Sequence, residues 1–90
     1  MTSSNWEVVV DAHAAQDLKK LHHQQRQVLP HLIRAIDSLA SHPYEGKPLK
    51  GDKSGSHSLR VGDFRILYDL YPTTQTVHVI RVGDRKDIYR

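Results

Sequence analysis

Residues 58–82 read SLRVGDFRILYDLYPTTQTVHVIRV, and this stretch decides the fold. Three runs, Ser58 to Val61, Phe64 to Tyr71 and Val77 to Val82, are rich in β-branched and aromatic residues and are separated by turn formers. They predict a three-strand antiparallel meander. Gly62-Asp63 suits a two-residue type II′ turn, with glycine where φ must be positive. A two-residue loop pairs Val61 with Phe64 and therefore Arg60 with Arg65. Side chains alternate between the faces of a strand, so Phe64, Ile66, Tyr68 and Leu70 share one face, read as the core. Arg65, Leu67 and Asp69 take the other. Pro72-Thr73-Thr74-Gln75 carries the second turn. Taking its loop as odd in length puts His78, Ile80 and Val82 on the core face and Val77, Val79 and Arg81 opposite.

Upstream, Trp6-Glu7-Val8-Val9-Val10 reads as a first strand, with Asp11 placed to cap a helix by accepting a first-turn N–H. Ala14, Ala15, Leu18 and Leu21 lie on one helical face, and Lys19 and Lys20 suit its last turn. Leu29, Leu32, Ile33, Ile36, Leu39 and Ala40 form a second helical stripe. Pro30 fits a first turn, whose N–H groups lack helical acceptors, so this helix starts near residues 26–29 or kinks there. His42-Pro43 ends it. Residues 41–56, SHPYEGKPLKGDKSGS, read as a loop. The fold class is therefore α+β: an N-terminal strand, two helices, then the meander, with both helices on one sheet face.

Ninety residues make one domain, 1–90. There is no cysteine, which removes disulfides and thiolate metal sites and is compatible with a cytoplasmic protein. Met1 to Asn5 lacks the features of a secretory signal, and no apolar run approaches the roughly 20 residues that span a bilayer. The histidines, among them His13, His22, His23 and His31, show no ligand spacing, so no metal is expected. Net charge is +3 and the whole excess lies in residues 44–90, where nine Lys/Arg face six Asp/Glu. A basic half suits a polyanion such as nucleic acid. Arg60, Arg65 and Arg81 project from one side of the sheet, with Arg85 near its edge. Arginine's planar fork makes paired hydrogen bonds to phosphate and keeps its charge, so this face is a candidate surface for a nucleic-acid backbone.

Lys47-Pro48-Leu49-Lys50-Gly51, then His57 through Tyr68, then Arg81-Val82-Gly83-Asp84-Arg85 and the terminal Tyr89-Arg90 resemble the RelE/ParE family of bacterial toxins, in its RNA-cleaving RelE-like branch. The order of elements fits that family as well. The resemblance implies a toxin of a type II toxin–antitoxin system that cuts mRNA in the ribosomal A site and is held inactive by a cognate antitoxin. The implied reaction is attack of a ribose 2′-OH on the adjacent phosphate, without metal or cofactor. Carried over by position, Arg65 and Arg85 hold the scissile phosphate, Arg60 and Lys50 support them or bind flanking phosphates, and Tyr89 stacks or helps in proton transfer; Lys47 and Arg81 are further RNA-binding candidates. The sequence departs from family patterns that place a lysine pair at Ser56 and Ser58, or a histidine or lysine at Asp84. The general base is then open between His57, which titrates near neutrality, and Asp84. The ParE side of the family implies an alternative, a non-enzymatic poison of DNA gyrase.

Overall fold

The computed structural model describes residues 5–49 and 55–84. The elements in chain order are β1 (Glu7–Val10), α1 (Ala12–Gln24), a 3-10 turn (Arg26–Val28), α2 (Leu29–Ser38), β2 (Lys47–Pro48), β3 (Ser56–Val61), β4 (Phe64–Tyr71) and β5 (Thr76–Asp84). The five strands form one mixed sheet in the order β1-β5-β4-β3-β2. β1 runs parallel to β5, and the remaining pairs are antiparallel. Residues 47–48, read from sequence as loop, form an edge strand, with Lys47 opposite Ser58 and Pro48 opposite His57. Two residues of ladder are too few to leave an alternating pattern, which is why this strand escapes a sequence reading.

The helices pack on one sheet face. Ala14 and Leu21 of α1, with Leu32, Ile36 and Leu39, bury against Phe64, Ile66, Tyr68, Val77, Val79 and Val82 in a single apolar cluster. Ala15, on the same sequence stripe, is exposed, and so is Ile33. α1 continues to Gln24, so its last turn carries His22 and His23, and Lys19 and Lys20 lie earlier. Asp11 holds the N-cap position with extended φ −65° and ψ 158°, yet makes no side-chain cap hydrogen bond. Its carboxylate instead lies 3.5 Å from His13 Nδ1. Pro30 sits in the first turn of α2, so the helix starts there and does not kink. None of the described helices is long and apolar enough to cross a membrane.

The first hairpin has the expected register, Val61 opposite Phe64 and Arg60 opposite Arg65, and Gly62 takes φ +61°. The second differs from expectation in an instructive way. Tyr71 faces Thr76 across an even loop, residues 72–75, so Val77 pairs with Leu70 and Val79 with Tyr68. Val77 and Val79 are therefore core residues with 0 % exposure, while His78 lies on the opposite face beside Asp69. A β-bulge then leaves Ile80 unpaired, so Arg81 faces Leu67 and Val82 faces Ile66. An extra residue inverts the alternation beyond it. The even loop and the bulge cancel, which returns Val82 to the core and Arg81 to the other side.

Tyr68 anchors the middle of the sheet. Its side chain is wholly buried, and its hydroxyl accepts a hydrogen bond from the Gly46 N–H at 2.8 Å. A Cβ at Gly46 would stand 2.6 Å from that hydroxyl and 2.9 Å from the Ser58 carbonyl oxygen. Only glycine brings the chain this close ahead of β2. Burial pushes the Tyr68 phenol above its ordinary range; the Gly46 N–H offsets this in part and the Glu45 carboxylate adds to it.

Two predictions follow from Tyr68. Gly46→Ala overpacks this contact and destabilises by about 1–3 kcal/mol in urea unfolding; an unchanged midpoint would contradict it. Because the folded state holds the phenolic proton more tightly than the unfolded chain, stability is full below the ordinary tyrosine value of 10.0 and falls as pH rises through the folded value. Comparing alkaline unfolding of wild type with Tyr68→Phe isolates that slope, which the variant should lack.

Candidate RNA-binding site

The tight turn at Gly62 fixes the site's geometry, because it sets two arginines directly opposite on neighbouring strands. Like charges in this arrangement repel and cost stability. Arg65 is half-buried and Arg60 exposed. Arg60 Nε donates to the Gly62 carbonyl at 3.1 Å, which steadies its stem. Arg65 makes no hydrogen bond or ion pair within the described residues. On its other side Arg65 faces Gly83 of β5, where an added Cβ would meet nothing within 4 Å.

Arg60 and Arg65 share one surface hollow with Lys47, Glu45, Gly46 and Ser58. Ser58, at 4 % exposure, lines the hollow, and Leu67 is buried on the same sheet face at 5 %. Ser56 of β3 donates to the Asp69 carboxylate, so that acid is engaged beyond the arginine pair. Three cations against Glu45 make the hollow basic, in the form that suits a phosphodiester.

Two of the sequence-predicted residues lie elsewhere. His57 points to the helix side, since strand alternation opposes it to Ser58 and Arg60. Its ring stacks on Tyr68 at 5.4 Å and 19°, with Tyr44 edge-on at 6.2 Å. Nδ1 of His57 is buried without a hydrogen-bond partner among the described residues. His57 is therefore separated by the sheet from the arginine hollow. Asp84, the other candidate base, pairs with Phe64 in register and is half-buried.

Arg81 is the second case. Its Nε donates to Asp17 Oδ2 at 2.9 Å and its Nη2 to Oδ1 at 3.4 Å. This pairing holds the Arg81 guanidinium above its already high range. Arg81 lines a different hollow, with Asp17, Lys20, Phe64 and Asp84. The hydrogen-bonded partner that sequence reading missed is Asp17. Its signal was present: Asp17 stands three residues after Ala14 and four before Leu21, on the apolar stripe of α1. A carboxylate there must find donors or stay out of the fold. Lys50, Arg85 and Tyr89 lie outside the described residues. Among the described residues no three His, Asp or Glu side chains gather as a metal would require.

A model of the ParE toxin of the type II toxin–antitoxin system parDE matches residues 8–89. Toxin RelE of Mycobacterium tuberculosis is 31% identical over 86 residues, spanning 94% of this chain and 87% of the relative. Toxin RelG of the same organism is 37% identical over 79 residues, 86% of this chain and 87% of the relative. The solved toxin–antitoxin complex RelBE2 from that organism contains a chain with a TM-score of 0.81 and 30% identity, covering 90% of this chain and 99% of that one. The family model spans nearly all of this sequence and both toxins align over most of their length, so the chain belongs to the RelE/ParE superfamily of type II toxins.

Proposed function

We propose that this toxin is an endoribonuclease that cuts mRNA in the ribosomal A site and is neutralised by a cognate antitoxin. The observation that carries the reading is the opposition of Arg60 and Arg65 in one hollow with Lys47. Opposed arginines in one hollow suit a phosphodiester, which accepts paired hydrogen bonds from a guanidinium. Cutting by the ribose 2′-OH passes through a pentacovalent phosphate with added negative charge, and fixed guanidinium groups stabilise that charge. Arg65 grips the scissile phosphate, and Arg60 and Lys47 hold its neighbours. With His57 turned to the helices, Tyr89 and Asp84 remain as proton-transfer candidates, and Arg85 as the second phosphate ligand by resemblance. Order imposed on the RNA by the ribosome supplies a further positioning effect.

The antitoxin reading draws support from the RelBE2 toxin–antitoxin complex, a chain of which resembles this one over 90% of the present sequence. An acidic antitoxin segment lying across the arginine hollow would deny it to RNA. The alternative, gyrase poisoning, has one observation in its favour: the matching family model is that of ParE.

Mapping mRNA ends on translating ribosomes tests the proposal. New 3′ ends at A-site codons are expected, and Arg65→Ala should slow their formation by about 100-fold or more, the scale of losing one transition-state charge donor. Arg65→Ala should also flatten the salt dependence of RNA binding by about one phosphate contact. Intact mRNA accompanied by gyrase-dependent DNA breaks would overturn the enzymatic reading in favour of the alternative.

A further inference from the structure

The end of β5 is held in an unusual way. β1 pairs with β5 only as far as Val79, opposite Val10, and the Asp11 N–H closes that ladder on the Val79 carbonyl at 2.8 Å. Past this point the chain turns into α1, Ile80 bulges, and β5 runs on to Asp84 with no strand on its outer side among the described residues. A strand edge left this way exposes unpaired backbone groups and frays. Here Asp17 Oδ2 accepts the Val82 N–H at 2.9 Å and the Arg81 Nε–H at the same distance. One carboxylate from α1 thus stands in for the missing strand. The Asp17 side chain is 18% exposed and that of Arg81 45%, so the carboxylate is shielded while the guanidinium reaches solvent.

The clamped segment adjoins the proposed site directly. Gly83 follows Val82 and faces Arg65 across the ladder, and Arg85 follows Asp84 in the sequence. Resting on the ribonuclease reading, we propose that Asp17 is a positioning residue for RNA cleavage: it fixes the end of β5 against α1 and so sets the strand that backs Arg65. Arg81 is the counter-charge that orients Asp17 and is not a ligand of RNA. An Asp17 defect should then lower the maximal rate of cutting and leave RNA affinity alone, because displacing a strand by about 1 Å costs on the order of 100-fold in an aligned reaction.

The test measures cleavage on programmed ribosomes at saturating and sub-saturating toxin, with backbone amide exchange of the free toxin in parallel. Asp17→Ala should lower the maximal rate about 10- to 100-fold with half-saturation within about 2-fold of wild type. Exchange should accelerate at Val82 and Gly83 while Tyr68 stays protected. Asp17→Asn keeps an oxygen for the Val82 N–H and should fall between; it carries the test if the alanine variant does not fold. Arg81→Met should lower the rate modestly without moving half-saturation, and the double variant Asp17→Ala/Arg81→Met should be no slower than Asp17→Ala alone, since coupled residues are not additive. Asp17→Ala cutting at the wild-type rate despite a frayed Val82 would overturn the inference and leave the ribonuclease reading standing. So would Arg81→Met raising half-saturation and flattening the salt response, which would make Arg81 an RNA ligand. Uniformly faster exchange across the sheet, with activity falling only as the folded fraction falls, would reduce Asp17 to general stability. A wild-type chain that cuts no mRNA would overturn the function itself, and the reaction role of Asp17 with it.

Discussion

A two-residue turn holds Arg60 and Arg65 face to face, and the candidate site depends on that pairing. Sliding either strand by one residue would swap every side chain to the opposite sheet face. Arg65 would then enter the apolar cluster, and Ile66 and Tyr68 would leave it. Register here is pinned twice, by the positive φ at Gly62 and by Tyr68, whose hydroxyl is fixed to the Gly46 N–H on the core side. The repulsion between two opposed cations is thus imposed by the packing behind them. An anion placed between them relieves it, so binding a phosphodiester is favoured by the same geometry that costs stability in its absence.

Cations among the described residues have different fates. Arg60, Arg65 and Lys47 meet in one hollow that Ser58 also lines. Arg81 is taken by Asp17 and works within the fold. Lys19 and Lys20 ride exposed on α1. Net charge alone does not separate these roles; hydrogen-bond partners do. A guanidinium already forked onto a carboxylate gives up that pairing before it can serve a phosphate.

Much of this architecture is legible in the sequence because its strongest signals are local. Gly62-Asp63 fixes the first hairpin and with it the Arg60–Arg65 pair, and the spacing of Leu32, Ile36 and Leu39 fixes the buried face of α2. What the sequence conceals is non-local. The parity of the second hairpin depends on an even loop closed by Gln75 in the left-handed region at φ 52°, which no glycine announces. The bulge at Ile80 serves the end of β5 and leaves no mark in a run of β-branched residues. His57 could be placed on the core side by parity, yet its stacking on Tyr68 depends on a partner eleven residues away. Lys47 was legible as a basic residue but not as part of an edge strand.

The central claim, that the Arg60–Arg65 pair clasps the RNA backbone, is tested most directly by the arginine side-chain Nε–H signals of the toxin titrated with a short RNA carrying 2′-O-methyl riboses that block cutting. The account predicts that the Arg60 and Arg65 resonances shift together with RNA and that Arg81, held by Asp17, stays put. Shifts confined to Arg81 or to the helix face, with Arg60 and Arg65 unmoved, would contradict it.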